Sequence, residues 1–278
     1  MVRIITDSTS GLPAEVARRY DIPVIPQVIN FGSDSYLEGI EIDQATFMQR
    51  LKTEHALPKT AAPPPELFVT EFQRLVPTGE PILCIHPSTE LSGTVRSAMT
   101  AAAEFPGADI RVIDTRTVAS PLATLVTLAA GWAVEGVDAD TIEARVQALI
   151  PRSRIYFMVA TLEYLARGGR IGGAAALLGG VLQLKPILTL RDGRVEPFEK
   201  VRTSKKAVAR LRELMATEMP RDGTGYPAII HAAVPEQAAE LLADLRRELD
   251  LSEVPILDVP PAIVTHGGPG ILGVSFFI

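Results

Sequence analysis

Short apolar runs alternate with amphipathic stretches along the chain. Val2-Arg3-Ile4-Ile5-Thr6 has the length and character of a strand and runs into Asp7-Ser8-Thr9-Ser10-Gly11. Pro13 to Tyr20 reads as a short amphipathic helix and Ile22 to Phe31 as extended chain. Phe47 to Lys52 looks helical, Pro58 to Pro65 reads as a loop, and Leu67, Phe68, Phe72 and Leu75 recur near helical spacing in Glu66 to Leu75. Strands are expected at Ile82–Ile85 and Ile110–Ile113, with Val95, Ala98, Met99 and Ala102 marking the helix between them. An uncharged helix follows from about Pro121 to Val134, and Ile142, Val146, Leu149 and Ile150 mark one more. Strands alternating with helices imply a mostly parallel sheet flanked by helices.

The pattern changes near Pro151. Beyond it come an apolar strand, Ile155 to Ala160, and a Gly-rich helical tract. Strands at Pro186–Leu190 and Val195–Glu199 follow, joined at Asp192-Gly193, a hairpin signal. Helices at about 204–219 and 235–249 flank the strand Ala228–Ala232. The expected fold class is α/β in two domains, 1–151 and 152–278, the second with a mixed sheet and helices.

Composition narrows the function classes. Apolar residues are 47% of 278 and aromatics only 5%, so the apolar mass is aliphatic and global disorder is excluded. A chain of this size buries roughly 73% of its unfolded surface, so it needs no disulfide or metal staple. The net charge is −6, from 27 basic and 33 acidic side chains, with no basic stripe of the kind nucleic-acid binders show. Residues 1–150 carry 11 basic and 19 acidic groups (net −8) and the remainder 16 and 14 (net +2), so the second half is better placed to meet an anion. Cys84 lies in an apolar run and reads as a buried strand thiol. No basic and apolar leader opens the chain. Of two uncharged stretches, 117–134 is interrupted by Ser120, Pro121 and Gly131, and 259–278 by three prolines and four glycines. Neither suits a membrane span, and a cytoplasmic protein without stable membrane insertion is expected.

Candidate chemistry sits where strands end, since open α/β sheets bind ligands beyond the carboxyl ends of their strands. Thr6-Asp7-Ser8-Thr9-Ser10 offers hydroxyls and a carboxylate, for capping or for a ligand. Ser88-Thr89-Glu90-Leu91-Ser92-Gly93-Thr94 joins a strand to a helix, where backbone amides and the helix dipole cap the helix or bind an anion. In Gly168-Gly169-Arg170-Ile171-Gly172-Gly173 two glycine pairs bracket one guanidinium, either solvated or clamping a carboxylate. The tail Thr265-His266-Gly267-Gly268-Pro269-Gly270 formally continues as a dinucleotide fingerprint. Only five residues follow Gly273, too few for the helix and acidic residue that motif requires. His266 before this turn is an ordinary loop histidine or a donor to an oxyanion. One Cys and four His give no zinc spacing, and P-loop, HExxH and nucleophile-elbow motifs are absent.

Taken in order, these motifs resemble the DegV family of bacterial fatty-acid-binding proteins. They are Thr6–Ser10, Leu91-Ser92-Gly93-Thr94 with Ser97-Ala98, Val112-Ile113-Asp114, Thr161–Leu165 with Gly168–Gly172, Leu184–Leu188, Lys200-Val201-Arg202-Thr203 and Thr265–Gly270. The resemblance covers nearly the whole chain. It implies a fatty acid in a tunnel at the junction of the two domains, its carboxylate held by Thr60, Ser92, Gly93, Arg170 and His266. It also implies a non-catalytic carrier without cofactor, presenting the acid to a separate kinase that makes an acyl phosphate for phospholipid synthesis. Arg202 and Lys205, in a cationic cluster opening a helix, read as a solvated face, as the docking surface for that kinase or as a contact to the acyl phosphate.

A long acyl chain needs an aliphatic tunnel with few polar groups. Pro121, Leu122 and Leu125 in the uncharged stretch, and Leu178 and Leu182 after the glycines, are expected to line it or to be ordinary core. Two departures stand out. The family's Lys-Thr-Ser-Gln-Pro appears as Lys59-Thr60-Ala61-Ala62-Pro63, which removes a hydroxyl and an amide. A Gly-rich stretch after the Val-Ile-Asp strand is replaced by the bulkier Ser120-Pro121-Leu122-Ala123, which implies a different chain preference. Two other readings compete. One is a serine hydrolase of acyl esters with Ser92 as nucleophile and His266 as base; the other is a phosphate or sugar-phosphate binder using the same helix N-terminus.

Overall fold

In a computed structural model, residues 1–54, 56–178, 185–249 and 254–278 are described. The chain divides into two compact units, Met1–Pro151 with Pro260–Ala262, and Arg152–Val259 with Ile263–Ile278.

The first unit is built on a parallel sheet. Its strands are β1 (Arg3–Asp7), β2 (Val24–Ile25), β6 (Ile82–His86) and β7 (Ile110–Asp114), in the order β2-β1-β6-β7. β6 is buried at every residue because it has a neighbour on each edge and helices on both faces, which is why it reads as an unbroken apolar run. Helices α3 (Pro65–Leu75) and α4 (Thr94–Ala102) cover one face through Phe68, Phe72, Leu75, Ala98 and Ala101, which pack on Ile5, Ile82 and Cys84. Burial there pushes the Cys84 thiol well above its ordinary range. Helix α5 (Ser120–Val134) packs on β1, β6 and α6 (Ala139–Leu149). It has no charged residue and is buried on most of its surface, as expected for a helix that is apolar all round. Helix α1 (Ala14–Arg19) buries no residue, whereas α2 (Gln44–Thr53) buries Phe47 and Leu51, and Asp43 caps α2 by accepting from the Thr46 amide at 2.7 Å.

A second, three-stranded sheet in this unit corrects the loop expected from Pro58 to Pro65. Lys59–Ala61 forms β5, which pairs antiparallel with β3 (Val28–Phe31), itself paired with β4 (Asp34–Leu37). Three residues, one charged and one of them Ala, carry no alternation to read. The strand exists because β3 offers its edge nearly thirty positions earlier in the chain, with Ile29 opposite Thr60.

The second unit is a mixed six-stranded sheet in the order β10-β9-β8-β13-β11-β12. The strands are β8 (Ser153–Met158), β9 (Lys185–Arg191), β10 (Arg194–Val201), β11 (Ala228–His231), β12 (Ile256–Asp258) and β13 (Leu272–Phe277). β9 and β10 form the expected hairpin, with Asp192 and Gly193 both at positive φ, 50° and 80°. Helices α8 (Ser204–Glu218) and α9 (Pro235–Leu249) pack on the sheet through Leu211, Leu214, Met215, Leu241 and Leu245. Short helix α7 (Glu163–Arg167) also belongs to this unit, as does α10 (Pro261–Gly267) from Ile263 onward. The tail contributes a wholly buried inner strand, β13, between β8 and β11.

Candidate functional site

In the first unit the chain leaves β1 toward β2 on one side, whereas β6 is followed by β7 on the other. The carboxyl ends of β1 and β6 therefore flank a topological switch point, where open parallel sheets leave a crevice. The Asp7–Ser10 turn and the Ser88–Thr94 loop both emerge there. Thr6 Oγ1 ties the two strands together by donating to the Ile85 carbonyl at 2.9 Å.

Asp7 is completely buried and organises the polar groups at this end of the sheet. Its Oδ1 accepts from the Thr9 amide (3.0 Å), Thr9 Oγ1 (2.6 Å) and Gln27 Nε2 (3.0 Å). Its Oδ2 faces His86 Nδ1 at 2.8 Å. The His86 ring stands edge-on to Phe68, with centroids 5.3 Å apart. Gln27 Nε2 also donates to Thr94 Oγ1 at 2.9 Å, and Thr94 Oγ1 lies 2.7 Å from Ser92 Oγ. Ser92 itself is half-buried. The Leu91 and Ser92 amides bond the Ser88 carbonyl, both at 3.0 Å, and the Thr94 amide bonds Ser92 Oγ at 3.3 Å. The turn thus spends these three amides on itself and presents the Ser92 hydroxyl.

Gly93 opens α4, and a Cβ there would stand 3.3 Å from Ala62 Cβ. Ala62 follows the strand that carries half-buried Thr60, so the fold brings the Thr60 segment against Ser92-Gly93. Beside this cluster Glu38 is also buried. Ser8 Oγ donates to its Oε2, and the Ala262 amide to its Oε1 at 2.9 Å. Burial raises this carboxyl to about 7.

In the second unit the Gly-Gly-Arg motif and the tail motif are two sides of one contact. Arg170 Nη1 donates to the Gly168 carbonyl at 2.7 Å. His266, in the last turn of α10, lies so close over Gly168 that a Cβ there would collide with Nδ1. Gly268, at φ 77°, ends α10 with its amide on the Val264 carbonyl at 2.8 Å, and a side chain there would strike the Tyr164 ring. Burial first, and the Arg170 charge second, lower the His266 pKa to about 4, so its imidazole is neutral near pH 7.

Among the expected tunnel residues, Pro121, Leu122 and Leu125 are buried in α5, while Leu178 is half-exposed. Leu182 lies outside the described residues. Arg202 and Lys205 are exposed at the start of α8, whose first turn Thr203 caps. Sequence reasoning missed Gln27, Glu38 and His86. Each is a polar residue within or at the end of an apolar run, which is a weak signal. No spacing along the chain announces that positions 7, 27, 86 and 94 meet. Among the described residues, no three metal-ligating side chains cluster, and no helix is long and apolar enough to cross a membrane.

A family model described as "Uncharacterised protein, DegV family" matches residues 1–278. A "DegV domain-containing protein" of Streptomyces coelicolor is 40% identical, covering 98% of this chain and 97% of its own length. One from Halalkalibacterium halodurans is 37% identical over 100% and 98%. Two similar solved structures are a fatty-acid-binding DegV family protein from Thermus thermophilus and DegV of Bacillus subtilis, also a fatty-acid-binding protein. The first is 33% identical with a TM-score of 0.92 and covers 99% of both chains. The second is 31% identical with a TM-score of 0.88 and covers 100% of this chain and 99% of its own.

Proposed function

This chain belongs to the DegV family, and on that premise we propose that it binds a long-chain fatty acid as a non-catalytic carrier. Thr60, Ser92 and Gly93 of the first unit, with Arg170 and His266 of the second, are its carboxylate ligands. The single observation that carries the reading is Ser92, a half-buried hydroxyl at the switch point of a parallel sheet, backed by wholly buried polar groups. The fatty-acid binding of the Thermus thermophilus relative supports the choice of ligand. Arg170 supplies the compensating charge, and neutral His266 serves as a hydrogen-bond donor rather than a cation. The acyl chain takes its affinity from apolar burial. At about 0.8 kcal/mol per CH₂, a sixteen-carbon chain gains on the order of 10 kcal/mol before the costs of association. Pro121, Leu122, Leu125, Leu178 and Leu182 are the proposed tunnel lining.

Mass spectrometry of the denatured protein is expected to release a long-chain fatty acid at close to one per chain. Protein that is empty as purified and takes up none when it is added would sink the reading. In the cytoplasm, the carrier would present its acid to a separate kinase through Arg202 and Lys205, for phospholipid synthesis. Loss of kinase binding in Arg202→Ala with fatty-acid binding retained is the expected result. The hydrolase alternative finds little support: an imidazole held at about 4 is a weak base near pH 7, and the Ser92 hydroxyl pairs with Thr94.

A further inference from the structure

The bonds around Ser92 have a direction, set by neighbouring atoms that can only donate or only accept. Asp7 Oδ1 accepts the Thr9 amide, so it is an acceptor. The Gln27 atom 3.0 Å from it must therefore be the amide nitrogen. That nitrogen has two hydrogens and no lone pair to offer. It gives one hydrogen to Asp7 and the other to Thr94 Oγ1 at 2.9 Å. Thr94 Oγ1 thus accepts from Gln27, while Ser92 Oγ accepts from the Thr94 amide.

The 2.7 Å contact between the two hydroxyls has two possible senses. If Ser92 donated, Thr94 Oγ1 would hold two incoming hydrogens and its own would have no acceptor. Thr94 is completely buried, and among the described residues its hydroxyl meets only Gln27 and Ser92. Leaving a buried hydroxyl hydrogen unpaired is the costlier arrangement. So Thr94 donates to Ser92. Both lone pairs of Ser92 Oγ are then taken, and its hydrogen is the one group left to face a ligand.

We propose that Gln27 and Thr94 are positioning residues that fix Ser92 as an obligate hydrogen-bond donor, tuning the site to an acceptor-only head group such as a carboxylate. Asp7 anchors the relay by setting which end of the Gln27 amide faces Thr94. The inference rests on the fatty-acid reading above and adds to it the device that orients Ser92.

The test measures affinities for hexadecanoate and for hexadecanol in wild type, Thr94→Val, Thr94→Ser, Gln27→Met, Ser92→Ala and Ser92→Ala/Thr94→Val. Thr94→Val keeps the shape and frees Ser92 to rotate. It is expected to weaken hexadecanoate about tenfold. Hexadecanol can donate or accept and follows Ser92 either way, so its affinity should change less than about twofold. Thr94→Ser restores the relay and should return hexadecanoate to within about twofold of wild type. Gln27→Met removes the first donor and should weaken hexadecanoate about threefold by a route that leaves Thr94 intact. In the Ser92→Ala background, Thr94→Val should have no further effect, because the relay acts through Ser92. Equal weakening of acid and alcohol, or additive losses in the double variant, would overturn the relay. Wild-type protein that binds no hexadecanoate would overturn the fatty-acid reading instead.

Discussion

Replacing Glu38 by Gln should stabilise the protein, and only at neutral to alkaline pH. Glu38 is buried, with Ser8 Oγ on Oε2, the Ala262 amide on Oε1, and Asp7 as the nearby like charge. Desolvation outweighs the two hydrogen bonds and lifts its pKa from 4.5 to about 7. A carboxyl with a raised folded pKa favours the folded state while protonated. Its effect is neutral well below 4.5, turns destabilising as pH rises toward 7, and is flat above. The shift corresponds to about 3 kcal/mol lost at pH 8, and to less than about 1 kcal/mol at pH 5. In Glu38→Gln the amide oxygen keeps the Ala262 N–H, while the NH₂ reverses the direction of the Ser8 contact, a cost that is the same at both pH values and cancels in the comparison. Urea unfolding of both proteins at pH 5 and pH 8 checks this, since other titrating groups cancel in the difference. The variant should gain about 2 kcal/mol more over wild type at pH 8 than at pH 5. A pH-independent difference, or one larger at pH 5, would refute the assignment of a buried, proton-holding Glu38.

Three further outcomes are expected. Ala119, at φ 60° and ψ −137°, holds a conformation that suits glycine, so Ala119→Gly should raise stability by about 1 kcal/mol; a lower melting temperature would contradict the strain. Gly168→Ala drives a methyl into His266, so it should cost about 2 kcal/mol or more and weaken fatty-acid binding, whereas Gly79→Ala, with open space around it but also at positive φ, should lose stability without loss of binding. His266 has a folded pKa lowered from 6.5 to about 4, so its contribution to stability is present above 6.5 and fades as pH falls toward 4. NMR titration should find it near 4 in the empty protein and higher with hexadecanoate bound; an unchanged value in the complex would remove it from the head-group site.

Much of the architecture is legible in the order of residues because it is local. The continuous apolar run of β6, the helical spacing of Phe68, Phe72 and Leu75, and the Asp192-Gly193 hairpin each announce themselves within a few positions. So do the polar and glycine-containing segments at Asp7–Ser10, Ser92-Gly93 and Gly168–Arg170, since glycines and hydroxyls cluster where strands end. β5 was not legible, because three residues acquire strand character only from the edge of β3. The tail reads in sequence as a turn with a loop histidine, but it holds the end of α10 and then β13, whose partners lie at 153–158 and 228–231. The network behind Ser92 was hidden for the same reason. Asp7, Gln27, His86 and Thr94 are joined by hydrogen bonds spanning up to 79 positions, and such bonds leave no period in a sequence. Sequence alone determined most of the local elements and the polar segments at the ends of β1 and β6. Tertiary structure decided which of them touch, which way each hydrogen bond points, and that burial raises the Glu38 carboxyl to about 7 and leaves His266 neutral near pH 7. Proton affinity and donor direction depend on what surrounds a group in space, and that is set only when distant strands pair.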